Sequence, residues 1–189
     1  MATERLVVFN GREYGLCESA AELGQVIPDF QVLIFNKGDA QGIVINKEDL
    51  MHHGCPILIS VTTSIDTPIG KIQTKKFNEM LAPFSDRALL WSVSSDLPFS
   101  INRLFEEEGI EIFSGGSDYL YNSFGKNFGV MVEDVRLLVR AVFVIDRKGV
   151  LRYLEVPVNI QTELDYGMAI DVLSYLIYED DEPENDQDE

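Results

Sequence analysis

The sequence has few cysteines and few basic residues, and it has no long apolar run. Only Cys17 and Cys55 occur among 189 residues, too few to suggest a disulfide framework in a chain of this size. No apolar run reaches the roughly 18 residues that span a bilayer. The first 15 residues have charges within a short apolar run and no small-residue cleavage site, unlike a signal peptide. We therefore expect a cytoplasmic protein.

Basic residues are outnumbered by acidic ones, 15 against 32, which gives a net charge of −17. Residues 178–189 hold eight acids and no base, and removing them from −17 still leaves −9. This balance disfavours binding to nucleic acid or to an anionic membrane. We expect one domain over residues 1–177 and an acidic, disordered tail over 178–189. The tail either solubilises the protein or docks on a basic partner.

Alternating and buried apolar runs predict an α/β protein, and 46% hydrophobic residues suffice for a sizeable core. Asn10-Gly11 predicts the turn of an N-terminal hairpin within residues 1–24. Further strands are expected at 30–35, 43–45, 55–63, 88–96, 110–113, 140–146 and 150–158, the last two as a hairpin. Helices are expected at 68–81, 99–108, near 118–124 and at 165–178, with a loop at 115–117. This order predicts a mixed central sheet flanked by helices, a thioredoxin-like fold with an added N-terminal hairpin.

Three separated motifs resemble those of thiol peroxidases, the atypical two-cysteine group of peroxiredoxins. They are SIDTPIGKIQTKKFN at 64–78, SSDLPF at 94–99 and RAVFVID at 140–146. The resemblance runs from about residue 6 to residue 176 and implies the thioredoxin-like fold. It also implies a homodimer, with Leu97, Pro98, Phe99 and Phe105 as candidate interface residues.

The resemblance implies a site that has lost both of its sulfur atoms. In this family a cysteine in the first turn of a helix attacks the peroxide, and a second cysteine resolves the product. A threonine and an arginine position the peroxide, and these match Thr67 and Arg140. The peroxidatic position is Gly70, the resolving position is Phe105, and the proline that opens the loop is replaced by Thr63.

This pattern predicts a protein that is inactive as a peroxidase and acts as a binding or regulatory module. The alternative is a peroxidase that uses Cys17, Cys55 or the thiol of a partner. Thr67 and Arg140 beside a helix N-terminus could hold a small anion. Equally, Thr67 could serve only as a helix N-cap, and Arg140 could pair with an acid.

Other candidate residues have simpler interpretations. His52, His53 and Cys55 lie close in sequence, but adjacent histidines that enter a strand point apart. We expect no metal and no cofactor. Asp66 and Asp96 follow predicted strands, where turn and capping roles are expected rather than a pair of catalytic carboxylates.

Overall fold

A computed structural model describes residues 5–35 and 42–179 of the chain. The predicted disordered tail lies outside these residues, except for its first two positions. The strands are β1 (Leu6–Phe9), β2 (Arg12–Gly15), β3 (Gln31–Ile34), β4 (Ile43–Asn46), β5 (Ile57–Val61), β6 (Leu89–Ser94), β7 (Ser114–Ser117), β8 (Ala141–Ile145) and β9 (Leu151–Glu155). The helices are α1 (Lys47–Met51), α2 (Pro68–Leu81), α3 (Pro98–Glu108), α4 (Ser123–Asn127) and α5 (Tyr166–Tyr178), with a 3₁₀ turn at Ala82–Phe84.

Seven strands form the central sheet in the order β4-β3-β7-β6-β5-β8-β9. The inner strands β5, β6 and β7 run parallel, while the outer pairs are antiparallel. The hairpin of β1 and β2 is a separate sheet. Its turn places Asn10 at φ 49° and Gly11 at φ 75°, the left-handed pair that a tight hairpin turn requires. The predicted mixed sheet with an N-terminal hairpin is confirmed.

The two strands β5 and β8 are buried on both faces and are almost entirely apolar, whereas the edge strands β4 and β9 are partly exposed. All five residues of β5 and of β8 are buried. Ile57 and Ile59 pack with the hairpin side of the molecule, whereas Leu58 packs with α2 and α5 on the other side. Among the described residues, no helix is long and apolar enough to cross a membrane.

The predictions around β7 were wrong. Residues 110–113 are not a strand, and the expected glycine loop is the strand Ser114–Ser117. Glycine is depleted in strands, so the sequence favoured a turn, yet close packing requires glycine here. A Cβ on Gly115 would lie 2.3 Å from Cγ2 of Ile101 in α3. A Cβ on Gly116 would lie 3.2 Å from the ring of Trp91 in the neighbouring strand.

Two short helices also differ from expectation. α1 was not predicted, and it begins with a reciprocal cap in which Asn46 and Asp49 each accept the other's backbone N–H. α4 begins five residues later than the predicted helix near 118–124. Asp118 lies before it, and its carboxylate accepts the N–H groups of Phe124 at 3.0 Å and Gly125 at 2.8 Å. Asp118, which was expected inside the helix, therefore lies before it and accepts hydrogen bonds from the free N–H groups of its first turn.

Candidate functional site

The first turn of α2 is held by the Thr67 side chain. Thr67 has an extended backbone and is the N-cap, and Pro68 is the first helical residue. The Thr67 hydroxyl accepts a hydrogen bond from the N–H of Gly70 at 3.1 Å and donates one to the carbonyl of Ser64 at 2.8 Å. The capping interpretation of Thr67 is confirmed. Its hydroxyl proton and an oxygen lone pair are both used within the protein.

Gly70 lies buried in this turn with no room for a side chain. A Cβ at Gly70 would lie 2.1 Å from the carbonyl oxygen of Ser64 and 2.9 Å from Oγ1 of Thr67. Non-bonded atoms do not approach so closely, and the nearer atom belongs to the backbone. Any residue larger than glycine therefore requires the Ser64 carbonyl to move. Helix propensity alone gave no sign of this constraint.

Arg140 lies immediately before β8, and only 2% of its surface is exposed. Its Nε donates to Oε1 of Gln73 at 2.7 Å, and its Nη1 donates to the carbonyl of Thr162 at 2.9 Å. Its Nη2 donates to the Tyr166 hydroxyl at 3.3 Å. All three acceptors are uncharged. These hydrogen bonds therefore do not pair Arg140 with an acidic side chain, as the sequence analysis had allowed. Burial lowers the pKa of Arg140, because a charge is poorly solvated in the interior.

Gln73 is a site residue that sequence reasoning missed. Its amide nitrogen donates to Oγ of Ser60 and to the carbonyl of Val61, both at 2.9 Å, while its oxygen accepts from Arg140. Gln73 thus joins α2 to β5 and to the start of β8. A fully buried amide must satisfy its hydrogen bonds. A glutamine on the inner face of α2 could therefore have indicated a buried polar partner such as Arg140. The sequence showed it only as one polar residue among several.

The predicted anion pocket has its two groups engaged elsewhere. The Thr67 hydroxyl holds the helix cap, and all three guanidinium nitrogens of Arg140 donate within the protein. A small anion would have to displace at least one of these buried hydrogen bonds. Each replacement of that kind has an energetic cost, since a buried acceptor is left unsatisfied. Binding of a small anion therefore stays a prediction, because neither Thr67 nor Arg140 has a free donor group to offer it.

An apolar cavity of about 370 Å³ opens beside Thr67. Thr63, Thr67 and Ile69 form one wall, and the hairpin and segment 132–139 form the others. The residues from these two other walls are Val7, Phe9, Tyr14, Val132, Val135, Leu137, Leu138 and Val139, joined by Ile160. The sequence did not reveal this cavity because its walls come from three segments far apart in the chain, 7–14, 63–69 and 132–139.

Both cysteines lie away from the first turn of α2 in sequence and are half-buried. The N–H of Cys17 donates to the carbonyl of Met131 at 2.9 Å, at the base of the hairpin. Burial raises the pKa of the Cys17 thiol, and the nearby charge of Glu133 raises it further. Burial also raises the pKa of the Cys55 thiol, just before β5. A raised pKa means less thiolate at neutral pH, which is the opposite of an activated nucleophile.

The candidate dimer residues differ in exposure. Leu97 is 46% and Phe99 is 63% exposed, so both present apolar surface. Pro98 is buried, and its side chain therefore offers no surface to a partner. Phe105 is half-buried against a small cluster of Ile65, Ile101 and Leu104.

The remaining candidates have structural roles. The Asp96 carboxylate accepts the N–H of Ile65 at 2.8 Å, and Asp66 lies 3.4 Å from the ammonium of Lys71. Within residues 5–35 and 42–179, no group of three or more His, Cys, Asp or Glu side chains could hold a metal ion. Both aspartates lie in the connections before α2 and α3, but neither caps a helix, because the N-caps are Thr67 and Leu97.

Comparisons with known proteins agree with this fold. Residues 23–154 match the AhpC/TSA family. The chain is 31% identical to the thiol peroxidase of Streptococcus parasanguinis, covering 90% of this chain and 99% of that protein. It is 33% identical to the thiol peroxidase of Bacillus subtilis, covering 90% and 98% respectively. The crystal structure of a peroxiredoxin-like protein from Aquifex aeolicus superposes with a TM-score of 0.78 at 28% identity, covering 91% of this chain and 97% of that one.

Proposed function

Because the chain belongs to the AhpC/TSA family, we propose that it is a peroxiredoxin-like protein that binds a small apolar molecule and does not reduce peroxide at α2. The observation that carries this proposal is Gly70. It lies in the first helical turn, where the motif resemblance expects the attacking sulfur, and a Cβ there would lie 2.1 Å from a backbone oxygen. The turn has closed around a residue without a side chain.

Peroxide reduction by a thiol requires a thiolate that attacks one oxygen and releases the other. Gly70 supplies no sulfur, and Phe105 supplies none at the expected resolving position. Thr67 and Arg140, which would position a peroxide, are both used in internal hydrogen bonds. Taken together, the three features support the loss of peroxidase chemistry.

Binding is supported by the apolar cavity beside α2. Its volume of about 370 Å³ falls within the roughly 300–1,000 Å³ that small-molecule sites occupy. Its walls carry side chains from the hairpin, α2 and segment 132–139, so the thioredoxin-like core supports it from several sides. A largely apolar lining favours an apolar ligand, because burial of apolar surface supplies the binding energy.

The test is consumption of hydrogen peroxide and of an organic hydroperoxide, with a thioredoxin system as the reductant. We expect wild-type protein to give no turnover above the rate without protein. Turnover by the wild type would contradict the proposal. A catalytically active thiol peroxidase run under the same conditions shows that the reductant system works.

A second candidate is a thiol peroxidase that uses Cys17, Cys55 or a partner's thiol. The observation that favours it is the likeness to proteins named thiol peroxidases over nearly their whole length. If the wild type turns over, Cys17→Ser and Cys55→Ser identify the sulfur. If both variants remain active, the thiol comes from another molecule.

We also propose a homodimer through the surface around Leu97 and Phe99. Both side chains are exposed and apolar, and they flank the start of α3. Sedimentation at micromolar concentration should show a dimer for the wild type and a monomer for Phe99→Asp. Tyr175→Asp serves as the control, since Tyr175 is equally exposed at 63% but lies on α5. A monomeric wild type, or dissociation by both variants alike, would exclude this interface.

A further inference from the structure

A second cavity, of about 490 Å³, adjoins the apolar cavity and shares Val135 and Leu137 with it. Its other lining residues are Ser95, Tyr119, Leu120, Asn122 and Arg136. We call the first one the chain cavity and this second one the head cavity. The two shared side chains are 51% and 44% exposed, so the cavities meet at the surface along one apolar edge.

Neither cavity has an acidic residue in its lining, although 32 of the 189 residues are acidic. Carboxylates line the other larger clefts found among the described residues, as with Asp29 and Glu48 in one and Glu106 in another. The only charged side chain in the two adjoining cavities is Arg136. Because the head cavity contains a positive charge and no negative one in an otherwise acidic protein, it is complementary to an anion.

Arg136 has an uncommon backbone conformation. It is exposed, and its φ of 54° is in the left-handed region, which disfavours residues other than glycine, asparagine and aspartate. Its N–H closes a turn onto the carbonyl of Val132 at 2.9 Å. Among the described residues, no hydrogen bond or ion pair engages its guanidinium. Backbone strain of this kind is often retained at ligand sites.

Other groups of the head cavity add hydrogen-bond donors. Oγ of Ser95 accepts the N–H of Leu138 at 3.2 Å, which leaves its own proton available. Asn122, also left-handed at φ 54°, contributes an amide nitrogen, which donates one of its two hydrogens to the carbonyl of Tyr119 at 3.3 Å. Two of the three non-glycine residues with positive φ in the described chain therefore line this cavity.

We infer that the two cavities form one site for a long-chain carboxylate, with its apolar chain in the chain cavity and its carboxylate at Arg136. This inference rests on the proposed function and specifies the ligand class. The apolar walls supply affinity, whereas the charge-assisted hydrogen bonds of Arg136 select the head group. The ligand binds as a free monomer, because a net charge of −17 opposes adsorption to an anionic membrane surface.

The test is isothermal titration calorimetry with dodecanoate and with dodecan-1-ol, each below its aggregation concentration. We expect one molecule of dodecanoate to bind per chain. Arg136→Gln should weaken dodecanoate about tenfold, as expected for loss of a hydrogen bond to a charged group, and should leave dodecanol binding unchanged. Val135→Asp should weaken both ligands, because it places a carboxylate on the shared edge.

Arg103→Gln is the matched control, since Arg103 is an exposed arginine on α3 that pairs with Glu107. It should change neither affinity. If dodecanol binds but Arg136→Gln leaves dodecanoate unaffected, the head-group inference fails while the proposed apolar site stands. If neither ligand binds the wild type, the apolar-binding function fails together with this inference.

Discussion

The first turn of α2 and the adjoining chain cavity share Thr67 but differ in every physical respect. The turn is polar and closed: the Thr67 hydroxyl bridges Ser64 and Gly70, and no space remains for a side chain at Gly70. The cavity is apolar and open, and its walls come from distant segments. The part of the site used for covalent chemistry in the resembled family is therefore closed in this chain, whereas an apolar space suited to non-covalent binding is open beside it.

The largest effect should come from the closed region, at Arg140. Arg140→Leu removes the donors to Gln73, Thr162 and Tyr166 and leaves buried acceptors unsatisfied. We expect a loss of about 3–5 kcal/mol in the free energy of unfolding, measured by urea denaturation. Arg152→Leu is the control, because Arg152 pairs with Asp146 at a more exposed position. A loss no larger than that of the control would mean that the buried network does not hold α2 in place.

The closure around Gly70 predicts opposite results for two helical glycines. Gly70→Ala should lower the free energy of unfolding by about 2 kcal/mol, because the Ser64 carbonyl must move. Gly167→Ala, in the first turn of α5, should be neutral or raise it by up to about 1 kcal/mol. Its Cβ would meet only Oδ1 of Asp165, at 3.5 Å. Equal effects in thermal or urea unfolding would show that the α2 turn opens easily.

The same closure predicts that a sulfur at position 70 does not restore peroxidase activity. Gly70→Cys places its Cβ against the Ser64 carbonyl, so the thiol reaches the chain cavity only if the turn rearranges. We expect no peroxide turnover from this variant, measured with the thioredoxin-coupled assay. Turnover would show instead that the turn adapts to a side chain and that only the nucleophile is missing.

Asp118 is a buried carboxylate that lies outside both regions. Burial raises its pKa to about 6, so the native state binds this proton more tightly than the unfolded chain. Stability from this group is therefore present at low pH and is lost as the pH rises through about 6. Between pH 5 and pH 7 the change should be about 1 kcal/mol.

Urea unfolding at the two pH values, compared between wild type and Asp118→Asn, isolates the Asp118 contribution. The asparagine variant should lose that part of the pH dependence. Asp29→Asn is the matched control, because Asp29 lies exposed beside Lys47. A wild type that is more stable at pH 7 than at pH 5 by the same margin as Asp118→Asn would contradict the assignment.

The smallest effect concerns the thiols. Both cysteines have raised pKa values through burial, so each should react with a disulfide reagent more slowly in the native protein than in urea. Single Cys→Ser variants assign the two rates. Faster reaction of one thiol in the native state would identify an activated cysteine and would favour the peroxidase alternative.

The sequence predicted most of the fold because its signals were local. Asn10-Gly11 predicted the hairpin turn, and Thr67-Pro68 predicted the start of α2 to the residue. It failed at β7, where two glycines indicated a loop. Glycine is needed at these two positions because Ile101 and Trp91, which are distant in sequence, approach the strand closely. It likewise showed Arg140 as a positioning residue but gave no sign of Gln73 as its acceptor.

Residue types and short-range patterns were enough to identify the family, the layered α/β fold and the absence of a sulfur at position 70. The closed turn around Gly70 and the internal hydrogen bonds of Arg140 are visible only in the tertiary structure. It alone brought the hairpin, α2 and segment 132–139 around an apolar cavity with Arg136 at its edge. Cavities and buried hydrogen bonds depend on side chains that meet across the fold, and no local pattern in the chain specifies those meetings.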